Sequence, residues 1–336
     1  MHQFVAAMLF VFLSLGLVRA NDKWQDNVKA AVAKSLPLLR KGMDGHTSKK
    51  TCFACHNQLM PMLALTTANG RAFESKEFDL KKQTKFIADF LDRNRDNYKE
   101  GKGQGGQADT AGQALYTLEL AGWTRDSTTE AVVEYLLLRD EKLGYWRPVS
   151  NRPPSEASAF TTNYYAIRSL QKWGTAAQKD RIDKRLATTR SWLLKTSAKD
   201  TEDRVFRLLS LQAMGESIEA RKPMVDALLR SQRKDGGWGQ TDAMGSDAYA
   251  TGSALFALHQ AGHQSTSGLA YRRGIAFLVM MQEDDGSWKI RSRSKPFQTY
   301  YESGFPHAND QFISIAASSW ATTALTLAIA ASRSPD

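Results

Sequence analysis

Residues 228–262 read LLRSQRKDGGWGQTDAMGSDAYATGSALFALHQAG, and this stretch decides the fold because it holds one whole copy of a unit the chain repeats. It reads helix, turn, helix. The apolar run Ala227-Leu228-Leu229 closes a first helix, and Arg233-Lys234-Asp235-Gly236-Gly237 breaks it, since paired glycines give up the most backbone freedom in a helix. Trp238 is placed to fold back over the break. Tyr249, Gly252, Leu255, Phe256 and Leu258 then fall on a helical period that stops at Gly262.

A second copy of the turn occurs at Gln282-Glu283-Asp284-Asp285-Gly286-Ser287-Trp288, against Gln232-Arg233-Lys234-Asp235-Gly236-Gly237-Trp238. Both fit Gln-x-x-x-Gly-x-Trp. The pattern resembles the glutamine-tryptophan motif of squalene-hopene cyclases, oxidosqualene cyclases and prenyltransferase-type repeats. The resemblance implies structural roles for Gln232, Gly236, Trp238, Gln282, Gly286 and Trp288: the glutamine caps a helix end and the indole packs on the next repeat.

Outward from this unit, helical periodicity predicts helices over 27–40, 57–69, 78–91, 109–121, 130–138, 160–173, 181–194, 203–214, 270–281 and 313–331, with a loop at 41–50. Gly122, Gly174, Gly215 and Gly262 each follow the second helix of a pair, the mark of a helical-hairpin repeat with variable loops. Six pairs predict an all-α chain, an (α/α)6 toroid over residues 21–336 with the glycine-terminated helices inside. The cyclase resemblance implies the same toroid; an open solenoid is the alternative.

Composition narrows the function classes. The 336 residues carry a net charge of +10, but lysines and arginines alternate with acids and no basic-aromatic cluster forms, so nucleic acid is not an expected partner. Residues 1–20, with the apolar core 4–13 and the small-residue end Val18-Arg19-Ala20, read as a secretory signal peptide; an uncleaved anchor is the alternative. A periplasmic or secreted location follows, and no later stretch is apolar for the ~20 residues a membrane span needs.

Cys52-Phe53-Ala54-Cys55-His56, in the first hairpin (41–70), is the sharpest chemical motif. Cys-x-x-Cys-His is the attachment signature of haem c, with thioethers at Cys52 and Cys55 and His56 as proximal iron ligand. A disulfide, a redox-active dithiol, or zinc are the alternatives for the same residues. A sixth iron ligand would come from His46, Met60, Met62 or His307, of which Met60 and Met62 also read as core positions; a five-coordinate iron or a ligand from a distant repeat is the alternative.

Catalytic candidates are weaker. Asp247 begins an inner helix where the resembling families keep functional acids, yet Ala248 and Tyr249 follow it in place of the acid pair of Asp-x-Asp-Asp, so squalene cyclisation is not expected. A helix N-cap is the other reading of Asp247, and Asp109 at the start of another inner helix invites the same reading. The segment 291–311 brings His307 and Asp310 into a loop too long for a simple connector. It also resembles exported bacterial proteins built of prenyltransferase/squalene-oxidase repeats. Two functions fit: an exported haem protein for electron transfer or ligand sensing, with a redox partner, or a toroid that binds or transforms an apolar, isoprenoid-type molecule, with Cys52 and Cys55 in a disulfide.

Overall fold

The structure is a computed structural model that describes residues 2–71, 73, 80–262, 266, 268–296 and 299–329, with side chains from residue 23 onward. Its helices are α1 (His2–Lys49), α2 (Met60–Asn69), α3 (Leu80–Asp92), α4 (Arg95–Lys99), α5 (Gln107–Leu120), α6 (Ser127–Leu138), α7 (Ala159–Trp173), α8 (Lys179–Lys195), α9 (Thr201–Ala213), α10 (Ile218–Arg230), α11 (Ala248–Gln260), α12 (Leu269–Met280) and α13 (Gln311–Ala328). Among the described residues there is no β-strand, and no helix is long and apolar enough to cross a membrane.

Alternate helices form an inner ring. α2 packs on α5, α5 on α7, α7 on α9, α9 on α11, α11 on α13, and α13 returns to α2. The inner helices are apolar or small on every side, as in the fully buried body of α11, whereas outer α8 buries only Ile182, Arg185, Thr189 and Leu193 along one stripe. Six hairpins thus close into the expected toroid. Two glycines let inner helices meet: a Cβ at Gly252 would lie 2.6 Å from the Trp320 carbonyl carbon, and one at Gly112 would lie 3.0 Å from that of Tyr165.

The repeat turns show how each hairpin engages the next. Trp238 Nε1 donates to the Leu228 carbonyl in the last turn of α10, and Trp288 Nε1 donates in the same register to Leu278 in α12, each at 2.8 Å. Gln232 Nε2 donates to Gly236 and to Ala270 at the start of α12, while Gln282 Nε2 donates to Gly286 and to Ala31 of α1. The indole secures the preceding helix end while its ring abuts Gly274 of the next repeat, and the glutamine reaches the beginning of the following outer helix. Gly236 and Gly286 adopt φ of 91° and 93°, and a Cβ at either would strike the backbone of that outer helix.

A third copy of the turn lacks the glutamine. Trp146 Nε1 donates to the Leu136 carbonyl at 2.8 Å, and Arg185 covers its ring. Asp140 stands where the glutamine would be, so the pattern is invisible to the motif. Gly122, Gly215 and Gly262 end their helices with positive φ, but Gly174 is extended at φ −60°, and a Cβ there would meet Ile182 and the Leu170 carbonyl.

The loop expected at 41–50 is helix instead. α1 continues to Lys49 because Gly42 and Gly45 serve close packing rather than a break: Cβ atoms there would meet Ile315 of α13 and the Ser303 carbonyl. The side chains of residues 1–20, on which the signal-peptide expectation rests, lie outside the described residues, as does that part of helix 313–331 beyond Ile329 and the start of 78–91.

Candidate functional site

The inner helices begin at one end of the ring, and a cavity of about 190 Å³ lies there. Its wall comes from the π-helical turn Cys55–Leu59 that leads into α2, from the Arg152–Glu156 segment before α7, from Tyr249 on α11, and from the segment 292–296 with Phe312, Ile313 and Ala316 on α13. A narrower extension of about 30 Å³ follows the ring axis. Met60, Gln113, Tyr165, Phe206, Tyr249 and Ala316 line it, one from each inner helix. Below this point aromatic rings fill the axis: Tyr165 and Phe206 have centroids 5.7 Å apart, Phe206 and Trp320 6.3 Å, and Trp320 and Phe256 5.3 Å.

Sequence order and the π-turn together place the cysteine motif. The Asn57 side chain donates to the Gly42 carbonyl, pinning the turn to α1, and the Ala54 amide donates to the Gln58 side chain. His46 is buried at 1% exposure; its Nε2 lies 2.8 Å from the Cys52 carbonyl and its Nδ1 2.6 Å from the Tyr301 hydroxyl. A carbonyl only accepts, so Nε2 carries a proton and Tyr301 donates to Nδ1 of the neutral ring. His46 therefore ties the cysteine turn to the segment before α13 and is spent as an iron ligand.

Cys52 is exposed, whereas Cys55 and His56 face the cavity, and both thiols are free. Cys55 Sγ lies 3.9 Å from His56 Nδ1 and 3.9 Å from Glu156 Oε1. Burial, with Glu156 beside it, pushes the Cys55 thiol up, and burial draws His56 down to about 3. At neutral pH the pair is a thiol and a neutral imidazole. It is not a thiolate–imidazolium nucleophile.

The residues offer haem the right donors and the wrong space. His56 Nε2 is buried without a hydrogen-bond partner, as an iron ligand awaiting its metal would be. Yet the Phe312 ring sits edge-on 5.0 Å from the imidazole, and a cavity of about 190 Å³ is too small for a porphyrin. A macrocycle has no face to occupy in this arrangement. Met62 is fully buried core, Met60 lines the axial extension, and no cluster of metal-ligating groups is present among the described residues.

The catalytic candidates separate. Asp247 caps α11, accepting from the Ala250 amide at 2.8 Å, and its other oxygen pairs with Arg293. Asp109 is no cap: it accepts from Thr162 on α7 and from the Val149 amide, and burial raises its carboxyl to about 6. His307 bonds Ser287 of the last repeat turn, and Asp310 accepts from the Ser292 amide, so neither reaches the cavity wall.

Glu202 on α9 faces the interior of the ring. It is 2% exposed, accepts from Thr161 at 2.9 Å and from Tyr249 at 3.4 Å through Oε1, and burial raises its carboxyl to about 8; Oε2 has no partner. Its position in Asp200-Thr201-Glu202-Asp203 looks like an ordinary acidic first turn. Only the ring geometry turns it inward.

Residues 178–334 match the squalene-hopene cyclase C-terminal domain family. Among solved structures, the apo type II terpene cyclase MstE from Scytonema is similar over 91% of this chain and 98% of its own, with a TM-score of 0.53 and 15% identity. The fold is the α/α toroid of terpene cyclases. An MstE variant in complex with geranylgeranyl dihydroxybenzoate, its substrate, gives a TM-score of 0.54 at 12% identity over 91% and 98%. A possible GH105-family member from Salmonella enterica gives 0.52 at 12% identity over 90% and 93%, so the toroid accommodates different chemistries. No curated protein matches the sequence.

Proposed function

We propose that this toroid binds a short apolar molecule of the isoprenoid type in the cavity at the start of its inner helices. The single observation that carries the reading is the cavity of about 190 Å³ at the start of the inner helices, whose wall includes Pro153, Pro154, Tyr249, Phe312, Ile313 and Ala316. Apolar walls around a concave site take up an apolar chain by removing it from water. A volume of about 190 Å³ selects a chain of the geranyl class over a triterpene.

The test is a thermal-shift and calorimetric titration with geraniol and farnesol. Ligand that binds only the folded state raises the melting temperature by mass action. Ala316→Phe, which narrows both parts of the cavity, removes the shift. No shift with either alcohol in the unmodified protein would discard the reading.

The competing reading is an electron carrier or ligand sensor with haem on Cys52 and Cys55 and His56 as iron ligand, which a redox partner would serve. The unpartnered His56 Nε2 favours it and requires Phe312 to move away. An absorption spectrum after expression in an exporting, haem-attaching host separates the two. A sharp reduced α-band that vanishes in Cys52→Ala/Cys55→Ala would install the haem reading; a colourless product leaves the apolar-ligand reading in place.

A further inference from the structure

The cavity mouth differs chemically from its floor. Arg152, Arg293 and Lys295 line it together with one carboxylate, Glu156. Glu156 is already engaged: it pairs with Arg152 and accepts from the Ser150 hydroxyl at 2.9 Å. Arg293 is gripped from behind, by Asp247 and by the Gln240 side-chain oxygen, with its side chain only 11% exposed. A guanidinium has five N–H donors in a fixed fork, so these two contacts orient it and leave donors for the cavity side. Lys295 is exposed and has no acidic partner among the described residues.

From this arrangement we infer that the ligand is an acidic amphiphile, whose carboxylate sits at the mouth against Arg293 and Lys295 while its chain fills the cavity of about 190 Å³. The inference rests on the apolar-ligand reading above and specifies its head group. With Arg152 paired to Glu156 and Arg293 to Asp247, the surplus positive charge at the mouth is that of Lys295, which attracts an anion and repels a cation of the same shape. The preorganised Arg293 fork matches the two oxygens of a carboxylate. The Asp247–Arg293 pair thereby acquires a reason beyond capping α11: Asp247 holds the guanidinium at the rim.

Three probes of equal chain length test it on the full chain by calorimetry: geranic acid, geraniol and geranylamine. The acid is expected to bind about tenfold more tightly than the alcohol, and the amine more weakly than either, with the acid's advantage shrinking as salt is raised. Lys295→Glu, on an exposed side chain that the fold does not need, brings the acid's affinity down to that of the alcohol. Equal affinities, an amine preference, or an unchanged acid preference in Lys295→Glu would overturn the head-group inference while leaving the apolar reading intact. Failure of all three probes to bind would overturn the apolar reading itself.

Discussion

Gln282 Nε2 donates to the carbonyl of Ala31, 251 positions earlier in the chain, at 2.8 Å. The bond has the same form as that from Gln232 to Ala270, which joins neighbouring repeats. The first helix thus serves as the outer helix that follows the last repeat. Gln282→Ala is expected to cost about 1–3 kcal/mol, since it removes two hydrogen bonds at a half-buried seam, and Gln232→Ala a similar amount. Chemical denaturation of both variants checks this; a loss confined to Gln232→Ala would show that the seam is not closed in solution.

The three repeat tryptophans make the same bond to the same position of the preceding helix. Trp146→Ala is therefore expected to destabilise as much as Trp238→Ala and Trp288→Ala, by about 3–5 kcal/mol each. Melting curves rank them, and a mild Trp146→Ala would mean that the turn without glutamine is not a working copy.

Gly45 is a packing residue inside a helix. A Cβ there would lie 1.8 Å from the Ser303 carbonyl oxygen, whereas one at Gly105 meets nothing within 4 Å. Gly45→Ala should lower stability by about 1–3 kcal/mol or more, with Gly105→Ala near neutral. If the two variants melt alike, α1 does not touch the segment before α13 as described.

Glu202 predicts a pH dependence. Its carboxyl is held up at about 8 by burial, against an ordinary 4.5. The folded state keeps the proton more tightly than the unfolded one, so the stabilisation is complete below 4.5 and is lost as pH rises through about 8. Glu202→Gln stays neutral throughout, so the melting temperature of the parent should fall relative to this variant between pH 5 and 8. Parallel pH profiles would place Glu202 in water.

What the sequence discloses follows from periodicity. The apolar spacing of residues 249–258 and the paired Gly236 and Gly286 turns depend on neighbours a few positions away, and the hairpins and ring follow from them. Gly42 and Gly45 look like breakers because the atoms that require them, on Ile315 and Ser303, are distant in sequence. Asp140 conceals the third turn by replacing the residue on which the motif is keyed. At the cavity, Cys55 and His56 were legible as chemistry but their partner Glu156 was not, and Glu202 becomes unusual only through burial by Tyr249 and Thr161. His307 and Asp310 stood out as side chains in a varied loop, yet both are taken up by local hydrogen bonds.

The wall that shields Cys55 and His56 is delivered last. Phe312, Ile313 and Ala316 belong to the final helix, while the thiol and imidazole they cover lie in the first hairpin. At roughly 5–20 residues per second of synthesis, tens of seconds separate the emergence of the two, and contacts of such sequence separation form late in folding. Throughout that interval Cys55 and His56 stand more open than in the closed ring, where both are half-buried, while Cys52 stays exposed in the finished protein as well. The two ends of the chain thus meet at this wall, and α13 covers Cys55 and His56 only when the ring shuts.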